Sequence, residues 1–459
     1  MSFTSSSRST TEIIHLTTLE LTDSSETQLS ESEPEQEDDY FPDGGFRAYS
    51  VVFGSFLGLV TNFGIIDSMG VIQTYIATHQ LVNVKTSTVS WIFSIYLALS
   101  MANCVIVGPF FDVKGATWLL VVGTIMMFGG FMAVATSTTV WQFILSLSIC
   151  VGIGNSLNIT PLIGVLSHWF NLKRGTAIGL ATMGGSIGGI IVPIMLKNLY
   201  PKFGFAWSIR ILGFFCLGCM LFSIFLCRER ITRKSTSSEE IQRGNGKFQT
   251  MIAEMKEYFE FKALLDPKYS FCIAGTFAVE LAFLSMMTYL ASYAITQGMS
   301  ESDSYILITV FNSTGVLGRL VPGYLSDKLG YFNIMILMLF GFTLSMLVLW
   351  LPFGHSIPVL YAFASISGFF SCSILSLTPV CLSTITPVRK FGARYGLLYL
   401  FVSMGNLFGI PLSGAIIGEG SKHQYNMFAL YCSMFAVMGT IGWIISRYCI
   451  VGMKLNVKI

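Results

Sequence analysis

The chain has 459 residues, of which 53% are apolar and 11% charged, with a formal net charge of +2. Soluble domains carry about 25% charged residues, so this composition points away from a water-soluble protein, and the near-neutral charge leaves no footprint for nucleic acid. Mean hydropathy is +0.67, and about 20 apolar residues cross a bilayer as a helix that satisfies its own backbone; the chain reads as an all-α integral membrane protein.

Residues 1–45 are rich in Ser, Thr and Glu and end in the acidic run Glu31 to Asp39. Such a segment has too little apolar surface to fold and is expected to be a disordered acidic cytosolic tail, with no signal peptide ahead of the first span. Six spans follow at about 47–76, 87–109, 116–136, 140–166, 175–198 and 206–227, which together form an expected N-terminal bundle over 46–227. The connection 228–268 is basic and includes a segment, Phe248 to Leu265, whose helical spacing and mixed charge suit the inner membrane face. Six further spans, at about 269–296, 303–326, 331–352, 357–385, 391–418 and 425–449, form a C-terminal bundle over 269–450 before a tail at 451–459. The even-numbered connections carry Lys114, Lys173, Arg174, the 228–268 stretch, Lys328, Arg389, Lys390 and Arg394. The odd-numbered ones carry Lys85, Lys197, Lys202 and Lys422. This bias places the even connections and both termini in the cytosol.

A short pattern occurs twice. Gly108-Pro-Phe-Phe-Asp112-Val-Lys114-Gly115 ends the second span, and Gly323-Tyr-Leu-Ser-Asp327-Lys328-Leu-Gly330 ends the eighth, with the aspartates 215 residues apart. Thr160-Pro161 in the fourth span and Thr378-Pro379 in the tenth are 218 apart. A shared offset for two unrelated motifs implies duplication: twelve transmembrane helices in two six-helix bundles, related by an axis along the membrane normal, with a solute held between them. A carboxylate at such a turn can cap a helix N-terminus and latch a gate. Asp112 and Asp327 are the expected latches, and Lys114, Lys328, Arg174 and Arg394 their plausible partners. Glycines in the fifth span (Gly175, Gly179, Gly184, Gly185, Gly188, Gly189) and the eleventh (Gly405, Gly409, Gly414, Gly418) allow close helix contact. They read either as permanent packing or as a gliding seam between the bundles, and the seam is favoured for both spans.

A charged side chain at mid-bilayer costs about 2.5–3.5 kcal/mol on insertion scales, so it needs a partner or a wet cavity. Asp67, Glu280 and Arg319 are the candidates. Arg319 either pairs with substrate or an acid or pins the inner gate, and Glu280 either lines a cavity or makes a helix–helix hydrogen bond. Rings for a flat substrate are offered by Trp91, Tyr96, Tyr289, Tyr293, Tyr395 and Tyr399, and amides by Asn155, Asn158, Asn312 and Asn406. With aromatics at 14% of the chain, most rings must serve packing or lipid contact. Asn158-Ile-Thr160 and Asn312-Ser-Thr314 match the glycosylation pattern but fall inside spans, so neither is expected to be modified. Cys216 and Cys219 form a CxxC without a second pair and read as apolar filling. No arrangement of residues suggests an enzyme, a cofactor or a metal.

Three stretches carry a family resemblance. Pro42-Asp43-Gly44-Gly45-Phe46 abuts the first span, Trp169-Phe170-Asn-Leu-Lys173-Arg174-Gly175 enters the fifth, and Asn312-Ser-Thr-Gly315 to Gly318-Arg319-Leu-Val-Pro322-Gly323 lies in the eighth. Together they resemble the monocarboxylate transporter family of the major facilitators over about residues 42–450. Phe53-Gly-Ser-Phe-Leu-Gly58, Ser68-Met-Gly70-Val71-Ile72 and Gly409-Ile-Pro411-Leu-Ser-Gly414 resemble its fungal branch, within it the riboflavin-transporting group. The resemblance implies a monomeric, multi-pass plasma-membrane transporter, with an internal membrane as the alternative address. It implies uptake of a small molecule by alternating access, riboflavin first, a carboxylate or other vitamin-like solute second; a sensor that binds without flux is the reading from another class. Animal members place a Lys in the first helix and an Asp one turn before the eighth-helix Arg. Here those positions hold Asp67 and Gly315, which argues against proton-coupled monocarboxylate transport.

Overall fold

The computed structural model describes residues 41–230, 261–418, 420–454 and 457. The expected tail over 1–40 and most of the Phe248–Leu265 segment lie outside the described residues; Phe261–Leu265 is a single 3-10 turn leading into the next helix. Among the described residues there is no strand. Eleven helices are long and apolar enough to cross a membrane: α1 Phe46–Gln80, α2 Thr88–Lys114, α3 Thr117–Val134, α4 Val140–Trp169, the double-length Arg174–Leu226, α7 Pro267–Thr296, α8 Ile306–Leu329, α9 Tyr331–Phe353, α10 Ile357–Thr384, α11 Val388–Ile417 and α12 Lys422–Val451. The 53-residue Arg174–Leu226 is two spans. Gly204 within it has φ 70°, which lacks a steric penalty only for glycine, and the arms on either side are α5 (174–203) and α6 (205–226). Where a loop was expected between 198 and 206, helix continues to this break. The twelve spans match in number those expected from hydropathy.

α1 packs most extensively on the α5–α6 arms, α7 on α12, and α8 on α10. Two further pairs join the first six helices to the last six: α5 with α8, and α2 with α11. These pairs correspond under the duplication, and glycine sets both crossings. A Cβ on Gly108 would collide with the Gly392 carbonyl, and one on Gly323 would lie 2.6 Å from the Gly175 carbonyl oxygen. The first glycine of each repeated motif therefore permits backbone contact across the seam. The second, Gly115 (φ 83°) and Gly330 (φ 97°), terminates its helix.

The seam reading holds for only part of the glycine set. Gly175, Gly179, Gly185 and Gly189 of α5 face Gly323, Arg319 and Asn312 of α8, whereas Gly184 and Gly188 pack on α1. Gly405 and Gly409 of α11 abut Phe277 and Leu281 of α7, and Gly414 abuts Tyr289 of α7. Gly418 (φ 49°) ends α11. The seam on α11 is formed at its other end, by Gly392 and Gly396 against Gly108 and Cys104 of α2.

Candidate functional site

At the basic end of the helices, each repeated aspartate sits on a helix N-terminus of the other six-helix set. Asp112 accepts the Gly392 and Ala393 amides at 3.0 and 2.8 Å. Asp327 accepts those of Gly175 and Thr176 at 2.7 and 2.8 Å, and the Thr176 hydroxyl. A carboxylate so placed satisfies amides that the first helical turn leaves unpaired and meets the positive end of the helix dipole. The basic residues lie around this arrangement. Arg174 donates through Nη1 to the Ser383 hydroxyl of α10 at 2.9 Å. Arg394 donates to the Ile385 carbonyl at 3.0 Å. Lys328 lies over the Tyr324 ring, and Lys114 is exposed. Asp43 was not singled out as a site residue by sequence. It holds the neighbouring turn, its Oδ1 accepting the amides of Asn171, Leu172 and Lys173 at 2.8, 2.8 and 3.1 Å. Glu229 beyond α6 accepts the Ala116 amide at the start of α3, and burial pushes its carboxyl above the usual range.

Midway along the helices, Asp67 of α1 and Arg319 of α8 form an ion pair at 3.1 Å, with side chains 4% and 0% exposed. Arg319 also donates to the Thr182 carbonyl of α5 at 2.6 Å and lies over the Phe63 ring. This one guanidinium ties α8 to α1 and α5. Nearby, Asn312 approaches the Gly189 carbonyl at 3.5 Å. Arg319 Nε, Asn312 Oδ1 and Ser186 Oγ are buried without a partner among the described residues. Buried polar atoms are normally satisfied, so this layer has capacity that the present conformation does not use. Asp67 borders a cavity of about 40 Å³ that is also lined by Gln73, Ser94 and Thr288. That volume suits water, since pockets for drug-sized ligands run to about 300–1,000 Å³.

A second polar set joins Glu280 of α7 to Tyr399 of α11 at 3.1 Å, with the Tyr395 ring 4.6 Å from that of Tyr399. Glu280 is fully buried and its Oε2 has no partner among the described residues. A third joins Asn155 of α4 to the Tyr96 hydroxyl of α2 at 3.2 Å. The remaining candidates are placed apart. Trp91 is 41% exposed. Tyr289 donates to Ile410, while Tyr293 packs against Trp350 and Tyr425. Asn158 turns toward Gly123 of α3. Asn406 is fully buried with neither amide atom partnered among the described residues. Asn158 and Asn312, the two glycosylation-pattern asparagines, are both fully buried. Thr182 was not legible as a site residue, because it contributes a backbone carbonyl.

The close fit of α5 around the pair yields a prediction. A Cβ on Gly185 would clash with Arg319 Nη1 and lie 2.6 Å from Phe63 Cβ. Overpacking costs about 1–3 kcal/mol, and here it displaces the guanidinium. Gly185→Ala should therefore cut transport at least tenfold with a lowered melting temperature, whereas Gly218→Ala, where a Cβ meets open space, should change neither. Equal transport by the Gly185 variant in a flux assay would show that the pair tolerates displacement.

Residues 49–354 and 298–448 match the Major Facilitator Superfamily. The chain is 40% identical to the riboflavin transporter MCH5 of Saccharomyces cerevisiae over 443 residues, covering 95% of this chain and 84% of that protein. It is 32% identical to the MFS transporter asaE of Aspergillus flavus over 428 residues, 93% of this chain and 92% of the other. Its fold superposes on the proton:xylose symporter XylE with a TM-score of 0.67 at 15% identity, covering 87% of this chain and 94% of that one. A duplicated twelve-helix architecture, seams built by corresponding helices and a polar layer between the halves all accord with these likenesses: the chain is a multi-pass membrane transporter that belongs to the major facilitator superfamily.

Proposed function

We propose that this transporter imports riboflavin across the plasma membrane as a monomer, with both termini and the basic helix ends in the cytosol. The observation that carries the substrate is the 40% identity, over 95% of the chain, to the yeast riboflavin transporter. The bundles are residues 46–227 and 269–450, joined by the 228–268 connection. In the conformation described, Asp112 and Asp327 hold the cytosolic gate closed. Releasing those amides lets the bundles rock about the central layer, the usual geometry of alternating access. The unpartnered atoms of Arg319, Asn312, Glu280 and Asn406 then supply donors and acceptors for the imide edge and hydroxyl chain of a flavin. Uptake of labelled riboflavin by cells unable to synthesise it tests this reading. Expression should restore saturable uptake, and uptake no greater than in cells lacking the transporter rejects riboflavin.

Riboflavin is uncharged, so its passage needs no balancing ion. The intramembrane acid nearest the central layer, Asp67, is already matched by Arg319. Asp67→Asn keeps a carbonyl oxygen for Arg319 to donate to and should retain measurable uptake with altered affinity. Collapsing the proton gradient should leave equilibration intact. Purified protein in liposomes that concentrates riboflavin only under an inward proton gradient would overturn this and identify a symporter.

A further inference from the structure

At the helix ends opposite Asp112 and Asp327, α1, α5 and α8 enclose a second cavity, of about 610 Å³. Its wall is a slab of nearly parallel rings. His79 and Tyr75 of α1 stack at 4.2 Å and 5°, and Tyr75 stacks on Tyr200 of α5 at 3.8 Å and 16°. Phe205 continues the slab inward, 5.8 Å from Tyr75 and 5° from parallel. His79 is exposed, so the slab ends in an open face. Tyr200, only 8% exposed, lines the cavity, and its hydroxyl is buried with no hydrogen-bond partner among the described residues. Lys197 and the hydroxyls of Thr74 and Thr78 complete the polar part of the wall. Val71 and Ile308 line both this cavity and the small one at Asp67, so the two adjoin.

Each feature narrows the occupant. Parallel rings ending in an open face select a flat π-system, which gains from offset stacking where an acyl chain does not. A buried phenol without a partner demands an acceptor or donor on that flat molecule, since an unmade hydrogen bond in such a place is costly. The volume lies within the range of sites for molecules of a few fused rings. We propose that this cavity is an outer capture site for planar nitrogen heteroaromatics. The ring system stacks on the His79–Tyr75 slab and pairs with Tyr200 before passing Val71 and Ile308 toward Asp67. The choice of a tricyclic ring as its ligand rests on the riboflavin reading.

The probe is lumichrome, the bare tricycle, with ribitol as the bare side chain, on the full-length protein in lipid nanodiscs. Stacking should quench lumichrome fluorescence saturably. His79→Ala combined with Tyr75→Leu should weaken binding about tenfold, the scale of one or two ring contacts, and Tyr200→Phe severalfold. A cysteine at Thr78, labelled from outside by an impermeant maleimide, should be protected by lumichrome and not by ribitol. In uptake, His79→Ala alone should raise KM and leave the maximal rate unchanged. Labelling of Thr78→Cys at the same rate under saturating lumichrome, or equal quenching by the wild-type and doubly substituted proteins, overturns the capture site. Wild-type protein that binds lumichrome at this cavity yet carries no riboflavin leaves the capture site standing and overturns the riboflavin reading instead.

Discussion

Arg319→Ala should abolish the proposed riboflavin uptake while surface abundance stays near normal. Among the described residues, the guanidinium is the group in the central layer that holds α1, α5 and α8 at once, through Asp67, the Thr182 carbonyl and the Phe63 ring. Its removal takes away the bridge between the two bundles and the cation that the proposed function offers to a substrate there. Breaking a buried pair from one side costs about 3–5 kcal/mol, so stability has to be separated from function. The double variant Asp67→Asn with Arg319→Gln removes both charges at nearly constant volume and should recover stability lost by the single variant. It should still fail to transport, because amides cannot replace the fork of guanidinium donors. Uptake by the double variant at more than about a tenth of the wild-type rate, measured at equal surface expression, would make Arg319 a structural pin.

The second large effect concerns the gate proposed at the basic helix ends. In Asp112→Asn and Asp327→Asn, the side chain can present one carbonyl oxygen where the carboxylate presented two, and its NH2 group then faces amide donors. Each change also removes a charge from a helix N-terminus, worth about 0.3–2 kcal/mol depending on burial. Each single variant should shift the balance severalfold away from the conformation closed at this end, and the pair together at least tenfold. The readout is a cysteine at Thr78, whose labelling from outside should fall in that order. Unchanged labelling in the double variant would remove the gating role from both aspartates.

The architecture was legible because membrane crossing depends on run length and hydropathy, which sequence displays directly, and because the Gly-x-x-x-Asp-x-x-Gly and Thr-Pro repeats share an offset. The break at Gly204 was less legible. Pro201 lacks an amide hydrogen and interrupts the helical ladder without ending the helix; the positive φ falls three residues later. Within the site, the energetic cost of Asp67, Glu280 and Arg319 marked them as unusual. Their partners depended on which helices meet, and sequence order hides that: Asp67 and Arg319 are 252 positions apart and in different halves. Rings and amides were harder to sort. Trp91 faces outward and Tyr293 packs within its own bundle, and hydropathy runs that are apolar on all sides do not say which face points inward. Helix α11 shows the same difficulty, since its glycine-dense part serves α7 and its sparser end makes the seam.

The proposed lock at the basic helix ends has a property that follows from what its two sides are made of. One side is a side chain; the other is peptide backbone, joined at Asp327 by the Thr176 hydroxyl. A lineage can lose the aspartate by one codon change, but no ordinary replacement at Thr176 or Ala393 deletes the N–H that the aspartate grips. Proline is the exception, and the first turn of a helix is where proline is tolerated. Variation on the donor side is therefore graded by bulk at Gly175 and Gly392, where a Cβ would lie 2.8 and 2.7 Å from an oxygen of the gripping aspartate, but the N–H itself persists until proline appears. The lock is thus heritably one-sided. Drift can weaken each bundle's grip on the other through a single residue, and the surface being gripped persists through almost any change of side chain.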